Sequence, residues 1–316
     1  MGGPFVHHVD PVIGTLFGVH FWWYGLSYSL GFLNLFLYLR RHARELGLSL
    51  RSVYNVTICL AIGILVVGRL FVVYYEWPFY RTHLRLLPAV WLGGMATHGL
   101  IIGGFLGLAA YCAIARKPLL TFLDALAVPA ALILALGRIG NFIDGQIVGS
   151  VTTAPWAVKF PNAEGFRHPV VLYDGLKNFL LVPMLLFLRR RYDLPPGRLG
   201  AIFLFLYAFL RIFIDLFREY PLTLWGWPTG QVINVTLSVL VGLAIVVRSS
   251  LQRGRPAVPQ TVVPDPPARP GWRVALFALL VIGSAVIASD ATRDIPATYG
   301  ARHPGLTYSR LYPPLR

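Results

Sequence analysis

Long, unbroken apolar runs constrain this 316-residue chain more than any other feature. Hydrophobic residues make up 56% of it and charged residues only 13%, about half the charged share of a soluble domain. Inside lipid no water is at hand to satisfy the backbone, so only helices or closed barrels cross it. The runs are continuous rather than alternating, which excludes a barrel. The sequence therefore predicts an all-α polytopic membrane protein with spans near residues 16–39, 53–75, 91–115, 119–137, 170–188, 199–217, 230–247 and 273–289. The first seven form a transmembrane core over residues 1–250. A Pro- and Arg-rich linker, 251–271, leads to a C-terminal hydrophobic helix and tail, 272–316.

A net charge of +15 invites a nucleic-acid reading, but the positions of the basic residues point elsewhere. Arg40, Arg41, Arg44 and Arg51 follow the first span; Arg116 and Lys117 follow the third; Arg189, Arg190, Arg191 and Arg198 follow the fifth. Arg248, Arg253, Arg255, Arg269 and Arg273 lie between the seventh and the eighth. Counted alternately, these clusters share one side, and the positive-inside rule makes that side the cytoplasm. The N-terminus is then outside, and no nucleic-acid partner is implied. Contact with anionic membrane lipids fits the same charges. The first fifteen residues lack the pattern of a cleaved signal, so the first span reads as a signal anchor. If 273–289 crosses, the tail after it also lies outside.

Polar residues inside such spans are functional hypotheses by default. With a rise of about 1.5 Å per residue, Tyr24, Arg69, His98, Arg138 and Arg211 all fall in the outer half of the bilayer, as if lining one cavity open to the outside. Three arginines there need anionic company, and a lipid phosphate suits the rigid guanidinium fork. Plainer readings stand beside this one. Asp215, one turn after Arg211, is a sufficient partner for it. Arg69 is placed to snorkel, Tyr24 to join an aromatic belt, and His98 to be a packing histidine. Arg138 has no acidic residue within a turn and closes the fourth span between two glycines. Gly99, Gly103 and Gly107 fit close helix packing, with Gly99 also able to make room for a ligand.

Cys59 and Cys112 both lie in apolar spans and read as inert buried thiols. The sequence shows no zinc-ligand spacing, P-loop or dinucleotide fingerprint.

The stretch 137–149 resembles the signature of the prolipoprotein diacylglyceryl transferase family: Gly137, Arg138, Gly140, Asn141, Phe142 and Gly149 match at the family's spacing. Trp23-Tyr24-Gly25-Leu26, Gly68-Arg69-Leu70, Gly93-Gly94-Met95 with His98-Gly99, and His168-Pro169 with Leu172-Tyr173 are similar to further family motifs. So are Tyr207, Arg211, Phe217-Arg218-Glu219 and Thr229-Gly230-Gln231. The likeness covers about residues 15–247. Asp144 and Gln146 stand where the family has Asn and Glu, Leu100 where it has a glycine, and Asp215 where it has Glu.

This resemblance implies an enzyme of the bacterial cytoplasmic (inner) membrane whose site opens outward. It implies transfer of the diacylglyceryl group of phosphatidylglycerol to the lipobox cysteine of a prolipoprotein, releasing glycerol phosphate, without metal or organic cofactor. Arg138 and Arg211 would stabilise the phosphate, with Asn141 as an orienting donor. His98 would be the base or an orienting group, because an imidazole titrates near neutrality. Tyr24 would donate to the headgroup, and Asp215 would hold Arg211. Arg69, Gly99, Asp144, Gln146, Gly149 and Tyr207 complete the expected substrate-binding set, with Asp144 as a reserve acid or base. His168-Pro169 is expected to shape a loop. The altered acidic half of the signature leaves a rival, a non-catalytic homologue that binds anionic lipid or lipoprotein precursors. An anion transporter is a remoter alternative, since no repeat or broken midplane helix is visible.

Overall fold

The computed structural model describes residues 5–95, 97–145, 147–161, 163–219, 223–224, 226–252, 263–289, 294–300 and 306–314. Its helices are α1 (Trp23–Arg41), α2 (Leu50–Tyr75), α3 (Trp77–Tyr80), α4 (Thr97–Ala115), α5 (Leu119–Asp144), α6 (Val170–Arg191), α7 (Arg198–Asp215), α8 (Thr229–Gln252), α9 (Arg273–Ser284) and α10 (Ile295–Tyr299). The strands are short: β1 (Phe5–Val6), β2 (Val12–Leu16), β3 (Val19–Trp22), β4 (Val158–Lys159), β5 (Thr223–Leu224) and β6 (Trp227–Pro228). Among the described residues, five helices are long and apolar enough to cross a membrane: α2, α4, α5, α6 and α8. α7 is interrupted by Arg198, Arg211 and Asp215, and α1 is diluted by Trp, Tyr, Ser and Asn side chains. On α8, Leu240, Leu243, Val246 and Val247 are all exposed, as suits a lipid-facing surface.

The chain divides into two compact units. One contains Met1–His7 and Pro118–Val262. In it α5 packs along α6 and α7 along α8, while α7 also touches both α5 and α6. Asp124 on α5 fastens the start of α7, its two carboxylate oxygens accepting from Gly197 N at 2.6 Å and Gly200 N at 2.8 Å. Backbone donors at a helix start have no partner within their own helix, so this carboxylate serves as a cap from a neighbouring helix. β1 pairs with β4 in parallel, and His7 Nε2 lies 2.8 Å from the Phe142 carbonyl oxygen on α5.

The other unit contains His8–Lys117 and Val263–Arg316. Its tightest contact is between α2 and α4, made possible by small residues. A Cβ at Gly103 would lie 2.2 Å from Gly63 O, and one at Gly107 would lie 2.3 Å from Cys59 O. This is the small-residue packing expected from the sequence. Segment 263–273 is bolted to the start of α2. Asp265 accepts from Ser49 N at 3.2 Å and pairs with Lys117 Nζ at 2.7 Å, and Arg273 Nε donates to Asn55 Oδ1 at 2.5 Å. Helix α9 then runs antiparallel to α1: Phe277 meets Phe36, Ser29 Oγ donates to Val281 O, and Trp22 N donates to Ala285 O. The tail continues into a core of Trp22, Leu92, Ile295, Tyr299 and Tyr312.

Several expected boundaries shift. Residues 16–22 are not helical; β2 and β3 form an antiparallel hairpin that turns at Phe17 and Gly18, with φ of 51° and 79°. Residues 90–95 form a 3₁₀ turn and an irregular approach to α4. The fourth span does not stop at Arg138. α5 continues to Asp144, where Gly145 takes the left-handed conformation (φ 66°) that ends helices. The C-terminal helix ends at Ser284 rather than at residue 289.

Candidate active site

Extending α5 through the signature puts Arg138 and Asn141 one turn apart on the same face. Both are buried, and Arg138 Nη1 donates to Asn141 Oδ1 at 2.9 Å. Asn141 therefore orients Arg138 by accepting a hydrogen bond through its Oδ1. Arg138 lies near the end of α5, and Asp174 lies one turn into α6, which runs the opposite way. Arg211 lies near the end of α7. The alternating directions of these helices bring the three side chains to one level.

There the charges meet. Arg138 Nε lies 2.5 Å from Asp174 Oδ2, and Arg211 Nη1 donates to the same oxygen. Lys177, on the next turn of α6, places Nζ 2.8 Å from Asp174 Oδ1 and donates to Tyr207 O at 3.2 Å. Its ammonium also sits 4.2 Å from the centroid of the Tyr207 ring, a cation–π distance. The close approach of α5 to α6 depends on Gly175, where a Cβ would come within 3.2 Å of Arg138 Cβ. Asp215 is a weaker partner of Arg211, 3.5 Å from its Nε, and accepts from Asn234 Nδ2 at 2.7 Å. Arg138, with no acidic residue within a turn of it in sequence, thus takes an acidic partner from α6. Neither Asp174 nor Lys177 entered the expected site. Their signal is visible in hindsight, because Asp174 directly follows the Leu172-Tyr173 pair and is the first charge of an otherwise apolar stretch.

The segment between α5 and α6 is fixed by its own polar contacts. Tyr173 OH lies 3.0 Å from His168 Nδ1 and accepts from Trp156 Nε1 at 2.7 Å, so His168 shapes this segment as expected. Arg167 pairs with Glu219 at 2.5 Å. Gly149 donates to His168 O, and a Cβ there would lie 2.6 Å from that oxygen and 2.7 Å from Phe217 O. This position has no room for a side chain.

A model of the prolipoprotein diacylglyceryl transferase family matches residues 11–248. The chain belongs to this family. It is 36% identical over 258 residues to the phosphatidylglycerol–prolipoprotein diacylglyceryl transferase of Geobacter sulfurreducens, covering 79% of this chain and 98% of the relative. The enzyme of the same name from Nitratidesulfovibrio vulgaris strain DP4 is 33% identical over 248 residues, covering 74% and 92%. That of Rhizobium meliloti is 32% identical over 262 residues, covering 79% and 93%. The family match ends before α9, so the C-terminal segment described above lies beyond it.

For this family member, the remaining expected site residues divide between the units. Tyr207 and Asp215 belong with the arginines, and Asp144, fully buried, ends α5. Gln146 lies outside the described residues. Tyr24, Arg69, His98 and Gly99 belong to the other unit. Tyr24 is buried with its ring 5.0 Å from that of Tyr28. Arg69 does not snorkel. It is buried and spends its guanidinium on the carbonyls of Leu87, Gly93 and Leu86, at 3.0, 2.8 and 2.8 Å, which staples the segment leading to α4. Gly99 packs against α2, where a Cβ would lie 2.8 Å from Gly68 Cα. His98 is half-buried in the first turn of α4. Among the described residues no group of three or more His, Cys, Asp or Glu is placed to hold a metal ion.

Proposed function

We propose that Arg138 and Arg211 bind the phosphate of phosphatidylglycerol, and that the chain transfers its diacylglyceryl group to the cysteine of a prolipoprotein. The observation that carries this is the convergence of two buried guanidinium groups, from different helices, on one anionic oxygen. Groups that share a carboxylate oxygen are spaced to share phosphate oxygens as well. The activity for which the family and its relatives are named supplies the substrates.

In the reaction the cysteine sulfur attacks the glyceryl carbon and forms the C–S bond. The C–O bond to phosphate breaks, and its electron pair leaves on the phosphate oxygen. The thiol gives up one proton, so a phosphodiester monoanion becomes a phosphomonoester dianion. Preorganised cations at that oxygen favour the transition state over the ground state. Asn141 and Asp174 hold the arginines in place, and Asp215 and Tyr207 support Arg211 and Lys177. Gly149 and Asp144 shape the end of α5. His98, whose ordinary pKa is near neutrality, is the proposed proton acceptor on chemical grounds, and Tyr24 the proposed headgroup donor. Gln146 stays in the proposed binding set on the family resemblance alone.

Helices α1 and α7 join the five apolar helices in a proposed seven-span core over residues 1–250. The distribution of basic residues supports an outside N-terminus, a site opening to the outer face of the cytoplasmic membrane, and a linker at 251–271 before the C-terminal segment.

The test is purified protein in phosphatidylglycerol liposomes with a lipobox peptide, read by mass spectrometry. A thioether-linked diacylglyceryl product is expected. Its absence beside an active relative would leave the non-catalytic lipid-binding reading in its place.

A further inference from the structure

We infer that Lys177 is a positioning residue that gives the phosphate site its charge surplus and tunes it towards the dianionic leaving group. The inference rests on the reading that Arg138 and Arg211 bind phosphate. Lysine is out of place on the buried face of a membrane-type helix, where a charge is costly and calls for a function. Its side chain is 7% exposed, with Nζ held by Asp174 Oδ1, the Tyr207 carbonyl and the Tyr207 ring.

The charge count shows what it contributes. Without Lys177, the two arginines and the two carboxylates paired with them, Asp174 and Asp215, balance one another in charge. Such a set has little net attraction for an anion. Lys177 restores one positive charge and occupies Asp174 Oδ1, which leaves Oδ2 as the atom the arginines share. Coulomb attraction scales with the charge of the ligand. A surplus positive charge therefore stabilises the departing phosphomonoester, at −2, more than the bound phosphodiester, at −1. That difference accelerates the chemical step rather than merely tightening substrate binding.

The experiment compares two soluble competitors with the full-length protein in nanodiscs at pH 7. Glycerol phosphate is mostly dianionic there, its second pKa being about 6; its methyl diester is monoanionic. Inhibition constants are measured for the wild type, Lys177→Met, Lys177→Gln and Lys177→Arg. Where turnover is too low, the ligand-induced shift in thermal midpoint serves instead. Lys177→Met and Lys177→Gln are expected to lose about tenfold more affinity for the dianion than for the monoanion. Lys177→Arg is expected to keep the discrimination, and kcat should fall more than KM rises in the uncharged variants. Equal loss for both anions, or no loss, would overturn the inference. Arg138→Lys and Arg211→Lys run in parallel: if they leave both constants unchanged, the phosphate reading itself fails, whatever Lys177 does.

Discussion

The guanidinium groups of Arg138 and Arg211 meet at a single oxygen atom, Oδ2 of Asp174. Neither arginine has that partner on its own helix, so the carboxylate of α6 ties the ends of α5 and α7 to one level. A buried anion that joins two cations in this way is a structural clasp, and under the proposed function its shared oxygen marks the spacing of a phosphate.

Asp174→Asn should therefore be damaging in two ways. Removing one partner of a buried charge group costs about 3–5 kcal/mol, so the thermal midpoint of the detergent-solubilised protein should fall clearly. Transfer to a lipobox peptide should drop by about 100-fold. Asp174→Glu should recover part of both. Unchanged turnover in Asp174→Asn would show that the clasp has no part in the reaction.

Arg138→Lys and Arg211→Lys keep the charge but lose the planar fork. Each should lower kcat/KM by about 10²–10³-fold while the protein stays folded, as judged by thermal unfolding. A loss confined to KM would mean that the arginines bind substrate and transition state equally.

Gly103→Val should break the contact between α2 and α4, because even a Cβ at this position would lie 2.2 Å from a backbone oxygen. Overpacking of this kind costs about 1–3 kcal/mol, and α2 cannot move away without opening the whole helix pair. Gly104 has only Ile64 side-chain atoms near its would-be Cβ, the nearest at 3.6 Å. Gly104→Ala should therefore be tolerated. Equal thermal midpoints for the two variants would refute this account.

Asp265 makes the attachment of segment 263–273 dependent on pH. Burial alone would raise its carboxyl, but Lys117, Ser52 and the Ser49 N–H outweigh this and hold it below the ordinary value of 3.8. A carboxylate lowered in the folded state stabilises it above the ordinary value and loses that contribution as pH falls through the folded one. Limited proteolysis near residue 263 should accordingly accelerate below about pH 4. Asp265→Asn should show the faster cleavage already at pH 7. A cleavage rate flat with pH in the wild type would count against it.

The sequence determined much of this protein because hydropathy and charge act locally. Apolar runs fixed where helices form, and the basic clusters at alternate ends predicted how they alternate. Arg138, Asn141 and Arg211 were legible because charged or amide groups inside such runs are rare. Hairpin β2–β3 was not legible: Val19-His20-Phe21-Trp22 is as apolar as the helix that follows, and only the turn at Phe17 and Gly18 separates them. At Gly99 and Arg69 the sequence could not show the close helix contact and the backbone staple that the structure reveals, because both leave the same small or polar residue that a ligand site would.

What only the tertiary structure decided is which charges share a site. Asp174 and Lys177 on α6 reach Arg138 on α5 and Arg211 on α7 through helix packing, which no single-helix periodicity records. Intrahelical spacing offered Asp215 as the partner of Arg211, but electrostatics in a buried site favours the shorter contact from another helix. Sequence alone could name the arginines; the packing of α5, α6 and α7 determined the anion they hold.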